Sequence, residues 1–254
     1  MSEPTQRTIE SNGIRLNIAE QGKGPLVLLC HGFPESWYSW RHQIGALAAA
    51  GFRAVAPDMR GYGKSDAPEA IDQYTIFHLV GDLVGLLDAL EAPTAVIVGH
   101  DWGANIAWQA ARLRPDRFRA VVALSVPFRP RGPVRPTSVM PRTADAQFYM
   151  LYFQEPGVAE AELERDPRAT VRTMLYGASG DGAAAARAAA ASGGAAPASA
   201  WCRKAEASCG APGRRRPCRR GSAKPTSIST PASSSARASA AASIIIATST
   251  ATGS

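Results

Sequence analysis

The chain has 254 residues, 45% of them hydrophobic, enough for one large domain with a full core. Its formal charge of +7 is uneven: residues 1–181 carry 18 Lys/Arg against 20 Asp/Glu, and residues 182–254 carry 10 against one acid, Glu206. A near-neutral body argues against nucleic acid as a partner, no apolar run reaches bilayer length, and the polar start Met1–Gln6 predicts no secretory leader and a cytoplasmic setting.

In chain order, residues 7–20 read as two short strands joined at Ser11-Asn12-Gly13, a hairpin signal. Pro25–Cys30 is a continuous apolar run, the mark of a strand covered on both faces, and Cys30 reads as a small buried residue. His31-Gly32-Phe33-Pro34 follows, then a helix over 36–50 ending at Gly51. The next strand is 52–58, and Arg60–Asp66 is a Gly-rich loop without the spacing of a phosphate loop. Leu79, Leu83, Leu86, Leu87 and Leu90 share one face of a helix over 74–90. A further strand leads to Gly99, a helix runs over 104–113, and residues 118–126 read as another buried strand. This alternation implies a mostly parallel sheet with helices on both faces. Reactive groups in such sheets collect at the carboxyl ends of the strands, where His31, Asp58 and Asp101 all fall. From Pro127 a Pro-rich excursion begins, and residues 145–154 read as an aromatic-bearing helix.

The chemistry is concentrated in Val96-Ile97-Val98-Gly99-His100-Asp101-Trp102-Gly103-Ala104, which reads as strand, sharp turn, helix. Glycine is needed on both sides of such an elbow because a side chain would strike the neighbouring strand or helix. Ser is the usual occupant of the turn; here it is Asp101. A carboxylate is ionised at pH 7 and can attack an electrophilic carbon without a base. The plainer alternative is an Asp that only caps the next helix.

Gly99-His100-Asp101-Trp102-Gly103, with His31-Gly32-Phe33-Pro34 upstream, resembles the soluble epoxide hydrolases of the α/β-hydrolase family over residues 7–180. The resemblance implies an α/β-hydrolase fold with a core over 1–128, the start of a helical cap over 129–181, and a small-molecule epoxide as partner, with no cofactor or metal. It makes Asp101 the nucleophile. Tyr149, within Phe148–Gly157, matches one of the family's cap tyrosines that donate a proton to the ring oxygen, while Tyr152 matches a packing position. The backbone N–H groups of Phe33 and Trp102 match the oxyanion hole, shaped by Gly32 and Pro34; His31 and His100 match loop-orienting positions. Haloalkane dehalogenases usually place Asn at the position of Phe33, and fluoroacetate dehalogenases Arg at that of Trp102, so both residues favour an epoxide over a halide. A dehalogenase, or a non-catalytic binding protein on the same fold, is the alternative. The family's water-activating base is a late His. The histidines here are His31, His42, His78 and His100, all ahead of Asp101. The oligomeric state is left open.

Residues 182–254 are a low-complexity mix of Ala, Ser, Arg, Gly and Pro, too poor in apolar surface to fold. Cys202, Cys209 and Cys218 match neither a zinc nor a disulfide pattern. The genetic code offers a sharper reading. If the frame is moved back by one base, a consistent codon choice over 218–254 restores a cap-like string that includes Asn-Tyr-Tyr-Arg-Asn, with Ile244–Ile246 becoming Asn-Tyr-Tyr. The segment is thus expected to be a frame-shifted ending of a truncated hydrolase, with the break between 180 and 200.

Overall fold

The computed structural model describes residues 3–144, 146–192 and 201–203. Strands β1 (Thr5–Ser11) and β2 (Ile14–Gln21) form an antiparallel hairpin. Asn12 and Gly13 both take positive φ, 50° and 78°, as a two-residue hairpin turn requires. The chain then alternates: β3 (Leu26–Cys30), α1 (Arg41–Ala49), β4 (Arg53–Pro57), α2 (Ile76–Ala89), β5 (Ala95–His100), α3 (Trp102–Leu113) and β6 (Phe118–Leu124). The helix expected over 36–50 opens as a 3-10 turn, Trp37–Trp40, and the one over 74–90 is preceded by another, Ile71–Tyr74.

The sheet order is β1-β2-β4-β3-β5-β6. β3 pairs in parallel with β4 and β5, β5 pairs in parallel with β6, and β2 joins β4 antiparallel. After β3 the chain moves outward to β4, then returns across β3 to β5. The order therefore reverses at β3, and a crevice opens beyond the carboxyl ends of β3 and β5. Cys30 pairs with Gly99 in that register, which sets the His31 loop beside Asp101.

Side chains alternate between two cores. Leu28, Cys30, Val55 and Ile97 face α2 and α3, while Val27, Leu29, Ala54 and Ala56 face Trp40 and Ile44. Leu79, Leu83, Leu86 and Leu87 of α2 are at most 1% exposed, and burying each such side chain stabilises by about 1.5–3 kcal/mol.

Two expectations fail. The strand over 118–126 is not buried: β6 lies at the edge of the sheet, with Val122 and Leu124 exposed, because among the described residues no strand covers its far side. The aromatic helix expected over 145–154 is instead a short strand, β7 (Ala146–Phe148), followed by one helical turn. β7 pairs antiparallel with Trp201–Arg203, a partner far away in sequence that local pattern cannot reveal.

Between β6 and β7 lies one turn of helix, α4 (Pro136–Val139); beyond β7 come α5 (Tyr149–Tyr152), α6 (Val158–Leu163), α7 (Pro167–Gly177) and α8 (Gly180–Ala191). α8 crosses the boundary drawn at 182; its alanines carry the highest helix propensity of any residue. The low-complexity stretches 193–200 and 204–254 lie outside the described residues.

Arg60 and Asp82 lock the Gly-rich loop to α2. Both side chains are almost fully buried and meet through two bonds of 2.8 and 2.6 Å, with Asn12 adding a third at 2.9 Å. Burial pushes the Asp82 carboxyl up and Arg60 pulls it back. Arg60→Leu strands a buried carboxylate and is expected to destabilise the fold by about 3–5 kcal/mol in urea titrations. Adding Asp82→Leu should recover much of that loss; a double variant as unstable as the single would contradict this account.

Candidate active site

The elbow forms because β5 runs straight into α3 with one residue between them. That residue, Asp101, takes φ 53° and ψ −120°, a conformation unfavourable for a side chain-bearing residue. Neighbours without side chains make it possible. A Cβ on Gly99 would strike the Gly103 carbonyl, one on Gly103 would strike the Cys30 carbonyl, and one on Gly32 would strike Asp101 itself. Gly32, Gly99 and Gly103 are thus required by close approach.

Phe33 N–H donates to Asp101 Oδ1 at 3.0 Å. One carboxylate oxygen is thus held by the loop after β3. Trp102 is the first residue of α3, where N–H groups have no acceptor within the helix. The Phe33 amide reaches the carboxylate from the loop after β3, and the Trp102 amide is the next one along the chain after Asp101. The Phe33–Pro34 peptide is cis.

The segment after β7 packs against this point. Tyr152, Phe153 and Ala159 form a small buried cluster against Phe33, Trp102 and Tyr149. Phe153 meets Phe33 edge-on at 5.6 Å and Tyr149 at 6.1 Å. Burial pushes the Tyr149 phenol above its ordinary value, the Asp101 charge adds to this, and a hydrogen bond from the Trp102 side chain opposes it. The Tyr149 phenol thus keeps its proton at neutral pH. Tyr152 instead bonds Glu162 at 2.5 Å, which ties the cap segment to α6.

His31 is buried. Met59 N–H donates to its Nε2 at 3.0 Å, so the proton sits on Nδ1, which donates to the Gly32 carbonyl at 2.8 Å. Burial lowers its pKa despite nearby Asp58, and with both nitrogens occupied it is a neutral strut. Asp58, at the end of β4, is likewise consumed: it accepts from Trp37 N–H, Asn17 Nδ2 and Lys64 N–H at 2.9–3.0 Å. His78 pairs with Thr75, His42 is exposed on α1, and His100 pairs with Glu35. The recorded bonds of His31, His78 and His100 thus go to groups other than the Asp101 carboxylate. Sequence reasoning passed over Glu35; the signal was a carboxylate three residues after Gly32, within reach of that residue's own N–H.

The alpha/beta hydrolase fold family matches residues 25–192. The chain is 55% identical to epoxide hydrolase A of Mycobacterium tuberculosis over 180 residues, 70% of this chain and 56% of that protein. It is 52% identical to the epoxide hydrolase of Caballeronia sordidicola over 176 residues, 68% of this chain and 52% of that one. The crystal structure of epoxide hydrolase A from Mycobacterium thermoresistibile superposes with a TM-score of 0.67 at 54% identity, covering 72% of this chain and 58% of that one. The chain spans about half the length of these curated relatives.

The His31 bonds carry a pH signature. The folded state holds this ring neutral, so its stabilisation is complete above the ordinary value of 6.5 and is lost as pH falls from there toward the lowered folded value. His31→Gln should cost about 1–3 kcal/mol at neutral pH and flatten the decline of stability on acidification in urea titrations. An unchanged acid slope would contradict this role.

Proposed function

This chain belongs to the alpha/beta hydrolase fold family, and we propose that its site opens epoxides by attack of Asp101, giving an ester between substrate and enzyme. The observation that carries the reading is the Asp101 carboxylate, held at positive φ with Oδ1 bound by Phe33 N–H, with Tyr149 in the cluster packed against Phe33 and Trp102. The free oxygen attacks the ring carbon from behind. The carbon–oxygen bond of the ring breaks, and the leaving oxygen takes the phenol proton of Tyr149. Oδ1 becomes the ester carbonyl oxygen, already bonded by the Phe33 amide, which together with the Trp102 amide would hold an oxyanion during hydrolysis.

Hydrolysis to the diol needs a base to activate water, and no histidine of the chain supplies it. The first half-reaction is therefore supported more fully than the second. We read residues 1–128 as the core, 129–181 as the start of a cap and 182–254 as the product of a shifted frame in a truncated gene. The family match ending at 192 and the abrupt change in charge and composition support that reading. The relatives named as epoxide hydrolases support the substrate class. Among the described residues no helix is long and apolar enough to cross a membrane.

Incubation of the 254-residue chain with styrene oxide, followed by intact mass, should show one equivalent of ester and no steady diol release. A chlorinated alkane should give no ester. Tyr149→Phe should slow ester formation by at least about a hundredfold. In the wild type, the rate should decline only above the ordinary phenol range near pH 10. Sustained turnover would overturn the missing-base argument and the shifted-frame reading together. Sequencing the gene across the codons for residues 175–205 tests the latter directly.

A further inference from the structure

The loop that carries Phe33 is tied to the elbow by more than the bond to Asp101. Glu35 N–H donates to the Gly32 carbonyl at 3.1 Å, and Glu35 Oε2 accepts from Gly32 N–H at 3.2 Å, so the turn 32–35 is closed at both ends. The other carboxylate oxygen, Oε1, lies 3.0 Å from Nδ1 of His100. His100 is the last residue of β5 and is bonded covalently to Asp101. One carboxylate thus grips both halves of the site: the turn that presents the Phe33 N–H, and the strand end that presents the nucleophile.

The contact is sheltered on one side only, with the His100 side chain 40% exposed. The Glu35 side chain is 16% exposed, and its charge reaches the fully buried His31 and Tyr62 beneath the crevice. A backbone donor on a loop retains its value for a reacting carboxylate only if its distance is held within a fraction of an ångström. The described bonds of Phe33 N–H go only to Asp101, so something else must set the height of the loop. His31 holds Gly32 from below through its carbonyl; Glu35 holds the same residue through its N–H and anchors it to β5.

We propose that Glu35, braced by His100, is a positioning residue for the alkylation of Asp101. It keeps the Phe33 N–H on Oδ1 so that Oδ2 alone attacks. Glu35 transfers no proton and forms no bond to substrate. The inference rests on the function proposed above, in which Asp101 is the nucleophile.

The test follows single-turnover ester formation from styrene oxide in the full chain. Glu35→Ala should lower the limiting rate by about tenfold or more while the half-saturating concentration moves by less than about twofold. Glu35→Gln keeps an oxygen for Gly32 N–H and a second polar atom for His100, and should recover most of the rate. His100→Ala should lose less than Glu35→Ala and add nothing to it in the double variant. A rate per reacting chain that is unchanged in Glu35→Ala, with only the melting temperature or the reactive fraction reduced, would overturn the proposal. A wild-type chain that forms no ester would instead sink the proposed function. The positioning is then decided by the Phe33 amide in nitrogen-15 spectra. Its resonance should move and its exchange quicken in Glu35→Ala but not in Glu35→Gln, and an undisturbed amide would overturn it.

Discussion

Asp101 sits in a backbone conformation that the chain adopts at a cost, and the hydrogen bond from Phe33 N–H to its Oδ1 is what makes that cost useful. The bond joins two strand ends that are neighbours only because the strand order reverses at β3. Without the β3–β5 register of Cys30 with Gly99, the amide and the carboxylate would miss each other. The three close-approach glycines follow from the same demand. Each lies where a methyl group would push the loop, the elbow or the first turn of α3 apart.

The surroundings divide the titratable groups into those made inert and those left poised. Asp58 and His31 stand at strand ends, where reactive groups gather, yet each is saturated by bonds to backbone and side chains. They fix the loops after β3 and β4. Arg60 and Asp82 do the same one layer deeper. What is left facing the crevice is a carboxylate with one bound oxygen and a phenol whose proton is held more tightly than usual by burial and by the Asp101 charge.

The elbow was legible because its requirements are local: a β-branched run, glycines at fixed offsets and a helix former after the turn. The hairpin at Asn12-Gly13 was legible for the same reason, since few residues accept positive φ there. Long-range pairings were not. Whether β6 is buried depends on what lies beyond it in the sheet, and the three residues of β7 are a strand only because Trp201–Arg203 run beside them. The role of Glu35 also escaped a linear reading, because its two partners belong to different elements that only the fold brings within 3.0–3.2 Å. The histidines, by contrast, could be read by inspection: there are four, none after the elbow, and the structure pairs His31, His78 and His100 and leaves His42 exposed.

The central claim is that Asp101 is the atom-bonding nucleophile. Peptide-level mass spectrometry of the chain after exposure to styrene oxide tests it most directly. The account predicts a single adduct on the peptide containing Asp101, an ester cleaved by hydroxylamine, and no adduct in Asp101→Asn. An adduct carried by another residue, or one that persists in Asp101→Asn, would contradict it.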